Sequence, residues 1–255
     1  MLELNKIYNM DCLEGMKLID DKSIDMILCD LPYGTTKNKW DIVIPFEPLW
    51  EQYERIIKDN GAIVLFGSQP FTSALVMSNL KLFKYEWIWQ KENGTGFLNS
   101  KKMPLKNHEN ILVFYKKLPC YNPQMRTGFK PYKCKQGSGS SNWNYNEKQG
   151  GHITENNGER FPIDVLQFNR ESGFHPTQKP VGLCEYLIKT YTNEGETVLD
   201  NCMGSGTTAI ACINTNRNFI GFEIDKHYCD IANERIRNRQ RENQKRQKEE
   251  LSRIA

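Results

Sequence analysis

Short apolar, β-rich runs alternate along this chain with helix-like segments, the signature of a parallel α/β sheet. KIYN at 6–9 reads as a strand, followed by a helix around 13–18. DMILC at 25–29 is a buried-type strand that ends in a Pro-containing turn. A helix with Leu49, Tyr53, Ile56 and Ile57 on its apolar side comes next, then strand AIVLF at 62–66 and a helix over 71–80. KYEWIWQ (84–90) and NILVFY (110–115) are two aromatic strands that alternate well enough to pair across a long connection containing Gly94 and Gly96. From 118 to about 170 the periodicity disappears into Gly, Ser, Asn, Pro and Tyr, with GSGSSNWNYN (137–146) at the centre. Order returns with a helix over 181–191, strand TVLD (197–200), a glycine turn, a helix over 207–213 and strand FIGFE (219–223). A last helix begins near Lys226 and runs into a basic tail. With 255 residues, the chain suits one α/β domain with a modest insertion or two small domains, and the irregular stretch reads as an insertion between two halves of one sheet. Its expected parts are a first half (1–116), the insertion (117–172), a second half (173–232) and the tail (233–255).

The glycine turn is the first feature with chemistry in it. TVLDNCMGSGTTAIAC places Asp200 at a strand end, then Gly204 and Gly206, then a helix. Ligands of open α/β sheets bind at the carboxyl ends of strands, where glycines let the backbone come close. About twenty residues on, FIGFE ends a second strand at Glu223, a carboxylate placed to accept hydrogen bonds from ribose hydroxyls. The pattern predicts a nucleoside-bearing cofactor, with a plain tight turn as the alternative. GSGTT is not a phosphate loop, because no lysine precedes Thr207 and Asp200 would repel phosphate. The same carboxylate suits the ammonium and sulfonium of S-adenosylmethionine.

The turn after the second strand, DLPYG, carries Asp30, Leu31, Pro32, Tyr33 and Gly34. The exocyclic N6 of adenine is a poor nucleophile, because its lone pair is delocalised into the ring. A site that methylates it should accept hydrogen bonds from both amine hydrogens. The Asp30 carboxylate and the Leu31 main-chain carbonyl can do so, with Pro32 biasing Leu31 towards an extended conformation. Tyr33 offers an aromatic face to a base taken out of the stack. Read alone, Asp-x-Pro at a strand end is equally an ordinary turn.

Charge is unevenly spread. The stretch 116–150 carries a net +6 and the tail 233–255 a net +4, within a chain of net +3, so the remainder is acidic. An acidic body with two basic regions fits a polyanion-binding surface, or two solvated flexible segments. The eight cysteines are scattered with no CxxC pair. A zinc site using Cys120, Cys134 and His108 or His152 fits no common ligand spacing, so reduced thiols and no metal are expected. No apolar run reaches membrane-span length and MLELNKIYNMDCLEGM lacks a signal-peptide layout, which leads to an expected cytoplasmic location.

Together these residues resemble the amino-methyltransferases of DNA, in the group whose catalytic motif precedes the cofactor motif. DLPY at 30–33 resembles the DPPY catalytic motif, and DNCMGSG at 200–206 the cofactor glycine motif. HPTQKP at 175–180 is similar to a further cofactor segment, and 9–30 resembles the family's N-terminal stretch. The resemblance implies a Rossmann-like α/β methyltransferase fold dependent on S-adenosylmethionine. Its sheet would have seven mostly parallel strands, with 84–90 and 110–115 forming an antiparallel end. It implies a target-base site of Asp30, Leu31, Pro32 and Tyr33. Asp200, Gly204 and Gly206 would hold the methionine portion, Glu223 the ribose, and Asp11 with Cys12 the adenine edge. Thr177 and Lys179 would lie in the segment closing around the methionine carboxylate, with His175 ordering that loop. The insertion would read double-stranded DNA, Arg126, Lys130, Lys133 and Lys135 meeting phosphates. Trp143, with Asn142, Asn144, Tyr145 and Gln149, would reach bases or fill a flipped-base gap. Leu31 stands where many members have proline, which puts the turn's rigidity in question. Asp30 favours adenine N6 over cytosine N4. The alternatives are cytosine-N4 methylation, methylation of RNA, and a DNA-binding protein with a vestigial cofactor fold. A homodimer and a cognate restriction endonuclease stay open as partners.

Overall fold

The computed structural model describes residues 2–36, 38, 41–135, 153–174 and 177–254. The chain forms two compact units, one of residues 1–122 with 164–255 and one of 123–163.

The larger unit is built on an eight-stranded sheet. In chain order its strands are β1 (Lys6–Asn9), β2 (Ile24–Cys29), β3 (Ile57–Gly67), β4 (Phe83–Thr95), β5 (Lys106–Phe114), β8 (Val165–Gln167), β9 (Thr197–Asp200) and β10 (Asn218–Glu223). Across the sheet the order is β1-β10-β9-β2-β3-β5-β4-β8. Only β5 runs against the rest, paired antiparallel with both β3 and β4. The sheet thus has one strand more than expected. β8 comes from a stretch read as irregular and pairs parallel with β4, through Ile88–Val165 to Gln90–Gln167. Three residues are too few to reveal a period, and the indole of Trp89 fixes the segment by donating to the Phe168 carbonyl (2.8 Å). β3 also begins earlier than expected, so that Ile57, read as helical, is its first residue.

Helices cover both faces because the strands are apolar on both. On β2, Met26 and Leu28 join one buried cluster while Ile27 and Cys29 join the other. The first cluster is closed by α4 (Val181–Tyr191), α5 (Thr207–Asn214) and the start of α6 (Lys226–Ile254). The second is closed by α1 (Cys12–Met16), α2 (Phe46–Ile56) and α3 (Phe71–Ser78). α6 is continuous through the basic tail. Cys229, Ala232 and Ile236 are its buried anchors.

From β2 the chain proceeds to β3, and from β9 to β10, so the strand order departs in opposite directions from the β2–β9 pair. Such a switch point opens a crevice at the carboxyl ends of the strands.

The smaller unit contains β6 (Tyr132–Lys135) paired antiparallel with β7 (Ile153–Asn156), and an Arg126–Arg160 bridge. The Arg160 guanidinium lies over Phe129 (5.3 Å) and Tyr132 (4.6 Å). This unit is narrower than the 117–172 expected for the insertion, since 164–172, with β8, pack in the larger unit.

Candidate active site

Asp30 is the first residue beyond β2, at the crevice. Leu31 is buried among the residues of α1, α2 and α3, so the turn is pinned by its side chain where proline's ring would have stiffened it. The Tyr33 ring stacks on Phe71 at 5.0 Å, and its hydroxyl donates to Asp30 Oδ1 (2.7 Å). Beyond it, the Asp41 carboxylate accepts the amides of Gly34 (2.8 Å), Thr35 (2.9 Å) and Thr36 (2.6 Å). Burial works against the Asp41 charge, but these bonds outweigh it and hold the carboxyl below its ordinary range.

The other oxygen of Asp30, Oδ2, accepts from Lys179 Nζ, which also lies 3.3 Å from Glu109 Oε2. Lys91 pairs with the second Glu109 oxygen. Two lysines and two carboxylates thus form a charge-balanced cluster, largely buried except at Asp30, which keeps 26% of its side chain exposed. Burial raises the Asp30 carboxyl above its usual range, against the pull of Lys179. For Glu109, burial is outweighed by Lys179 and Lys91, leaving its carboxyl low. Burial disfavours the Lys179 ammonium too, but Asp30 and Glu109 overcome that and hold the proton firmly.

Across the crevice, β9 ends at Asp200, whose Oδ1 accepts the Cys202 amide (3.0 Å). Burial pushes its carboxyl up to about 6, with hydrogen bonds from Thr208 and Cys202 opposing the rise. The following turn passes through Gly204 (φ +52°) and Gly206 (φ +84°), left-handed positions that favour glycine. A Cβ on Gly206 would also come within 2.9 Å of Ala232, whereas one on Gly204 would meet nothing within 4 Å. Asn201 holds the turn from behind, accepting the Tyr53 hydroxyl (2.5 Å). Glu223, at the end of β10, accepts the Gly204 amide on Oε2 (2.7 Å) and the Asp225 amide on Oε1 (2.8 Å). Burial raises its carboxyl above the ordinary value. Asp11 caps α1 by accepting the amides of Leu13 (2.9 Å) and Glu14 (3.2 Å).

Most of these groups face one cleft of about 490 Å³. Its walls include Asp30 to Tyr33, Asp11, Cys12, Thr177, Lys179, Asp200, Gly204 and Glu223, so the two motifs far apart in sequence share one cavity. Gly206 stands behind the wall as the hinge into α5. Lys179 lies on the wall of this cleft with its ammonium turned to the Asp30 side. As the residue before Pro180 and α4 it is directed between β2 and β5, and its ammonium meets Asp30 and Glu109. His175 lies outside the described residues.

In the smaller unit the expected phosphate contacts divide. The guanidinium of Arg126 donates to the Phe161 carbonyl (3.1 Å) and covers Phe129 (5.3 Å). Lys133 pairs with Glu155 at 3.0 Å, while Lys130 is exposed. Lys135 ends β6, and Trp143, Asn142, Asn144, Tyr145 and Gln149 lie outside the described residues. Sequence reasoning missed Glu109, Lys91, Asp41 and Asn201. Glu109 had one available signal, a carboxylate just before the apolar run NILVF, which the antiparallel course of β5 delivers to the crevice.

A family model described as DNA methylase, of the N6 and N4 type, matches residues 24–234. The type II methyltransferase M.HpaI of Haemophilus parainfluenzae is 30% identical over 89% of this chain and 72% of its own. The DNA adenine methyltransferase YhdJ of Escherichia coli K12 is 29% identical, over 92% and 83%. Among solved structures, the M1.HpyAVI–SAM complex superposes with a TM-score of 0.62 at 26% identity, covering 90% of this chain and 98% of that one. The cytosine-N4-specific PvuII methyltransferase shares the fold at TM-score 0.64 and 15% identity, over 89% and 84%.

Proposed function

Since the chain belongs to the N6/N4 DNA methylase family, we propose that it transfers a methyl group from S-adenosylmethionine to adenine N6 in double-stranded DNA. One observation carries the reading: Asp30 and Tyr33 open into the same 490 Å³ cleft as Asp200, Gly204 and Glu223. A hydrogen-bond acceptor for an amine and a nucleoside-binding turn are what such a transfer must bring together.

The donor set fits the cofactor. Each oxygen of Glu223 takes one backbone amide and keeps acceptor capacity for a ribose hydroxyl. Asp200 suits the methionine ammonium, and the amino end of α5, with Thr207 and Thr208 on the cleft wall, suits the carboxylate. Gly204 has open space where a side chain would stand, leaving the turn bare to the ligand. Bound there, S-adenosylmethionine supplies a methyl group made electrophilic by its positive sulfur.

The chain's own residues would act on the amine. Asp30 accepts one N6 hydrogen and the Leu31 carbonyl the other, drawing the nitrogen towards tetrahedral geometry and freeing its lone pair. Burial strengthens Asp30 as an acceptor, while Lys179 and Tyr33 hold it in place. With the methyl group passing to N6 and the bond to sulfur breaking to leave a neutral thioether, the amine would give up one proton, which the Asp30 carboxylate could accept.

The choice of adenine rests on Asp30 and on the likeness to YhdJ, a protein named for that base. Target recognition is assigned to the 123–163 unit and the residues between its strands. Purified protein given radiolabelled S-adenosylmethionine and bacterial DNA free of methylation is expected to place label in N6-methyladenine. Label in N4-methylcytosine would overturn the choice of base, and no transfer to any DNA the reading as a whole.

A further inference from the structure

The tip of the β4–β5 hairpin is unused by the site so far described. β4 leaves the sheet at the edge where the cleft opens, and β5 enters there, because the two pair antiparallel with Gln90 opposite His108 and Thr95 opposite Lys106. Lys106 precedes Glu109 of the cleft wall by three residues, about 10 Å along a strand. The tip therefore stands outward from the cleft by at least that rise.

The tip is a built structure. Thr95 Oγ1 donates to the Lys106 carbonyl (3.0 Å), Gly96 takes a left-handed turn (φ +86°), and Phe97–Asn99 form one turn of 3₁₀ helix. The amides of Asn99, Ser100, Lys102 and Met103 close back on Gly96, Phe97 and Asn99 at 2.8–3.0 Å. This internal bonding holds Phe97 (78% exposed) and Leu98 (98% exposed) out in solvent. Lys101 and Lys102 are exposed beside them, and no acidic residue lies between Gly94 and Lys106. An apolar point on a purely basic collar is charge-complementary to a polyanion with a stacked apolar interior.

We propose that this hairpin tip is a DNA wedge: Phe97 and Leu98 enter the base stack beside the target nucleotide while Lys101 and Lys102 hold the flanking phosphates. It rests on the proposed transfer to a base in duplex DNA. A base drawn into the cleft leaves a gap in its strand, and an apolar side chain entering the stack holds that gap open.

The test uses the full chain and an oligonucleotide duplex containing the methylated site, once DNA sequencing has defined it. Phe97→Ala/Leu98→Ala is expected to lower kcat/KM on the matched duplex by roughly tenfold or more, the scale of two lost apolar burials, with S-adenosylmethionine affinity unchanged by calorimetry. Opposite an abasic site the target base is already unpaired, and there the loss should shrink to about twofold. Lys101→Gln/Lys102→Gln should make the log–log salt slope of duplex binding shallower by about 1.8, the value for two phosphates. Equal loss on both duplexes, no loss, or an unchanged salt slope would overturn the wedge. So would a dimer of the wild-type chain that the apolar double variant dissociates, since the tip would then be a contact between copies. A wild-type protein that methylates no DNA refutes the transfer reading, and the wedge with it. An active wild type with indifferent variants refutes the wedge alone.

Discussion

At the scale of single residues, Asp200 sets a pH signature. Its carboxyl near 6 stands above the ordinary aspartate value of 3.8, so its ionised form is complete only above about 6. On the proposed reading, in which Asp200 meets the methionine ammonium, affinity for S-adenosylmethionine should rise with pH through 6 and then level. Stability runs the other way. The raised carboxyl favours the folded state at low pH, and that contribution is lost as pH rises through 6, by at most about 3 kcal/mol. Asp200→Asn is expected to raise stability at pH 7.5 by up to that amount and to weaken cofactor binding at least tenfold, on the scale of a lost charged hydrogen bond. Urea melts at pH 5 and 7.5 with calorimetric titrations read both, and a variant no more stable at pH 7.5 contradicts the buried-carboxylate account. Asp30, Asp200 and Glu223 were legible in the sequence because each ends an apolar strand ahead of a turn. Lys91 and Glu109 were not, because a charge within or beside an aromatic strand reads as its solvent face. Only the pairing of β4 with β5 joins them to Lys179.

At the scale of elements, the glycine turn and α6 make separate demands. Gly206→Ala needs a left-handed alanine and pushes a Cβ against Ala232. A loss of about 2 kcal/mol or more is expected, together with weaker cofactor binding because the turn must shift. Thermal melts check it, and a variant as stable as wild type would mean the turn relaxes freely. The last helix anchors through Ile236, and beyond 240 its described side chains are mostly exposed. Removing 241–255 takes away five bases and three acids. Stability should stay within about 0.5 kcal/mol while the salt dependence of duplex binding becomes shallower. An unchanged salt dependence would make that stretch a solvated helix with no part in DNA binding. The period of the apolar residues revealed the long elements, while β8 and the true start of β3 escaped it. Three residues carry no period, and Ile57 continues the apolar face of α2 into the strand.

At the scale of the whole molecule, one topological fact organises the site. β2 and β9 are neighbours at the switch point although about 170 residues separate them, so DLPY and DNCMGSG meet across one crevice. The sequence order of strands and helices announced an α/β sheet, and the strand-end acids marked which edge carries the chemistry. It could not announce the pairing of β2 with β9, because adjacency in a sheet leaves no trace in local periodicity. The independent unit of 123–163 was legible only as a loss of pattern. The central claim is that Asp30 serves an amine brought into a cofactor cleft. Its most direct test is long-read sequencing of DNA from methylation-free bacterial cells producing the wild-type protein or Asp30→Ala. The account predicts N6-methyladenine in one sequence context with the wild type and none with a variant that still binds S-adenosylmethionine. N4-methylcytosine, or equal modification by both proteins, would contradict it.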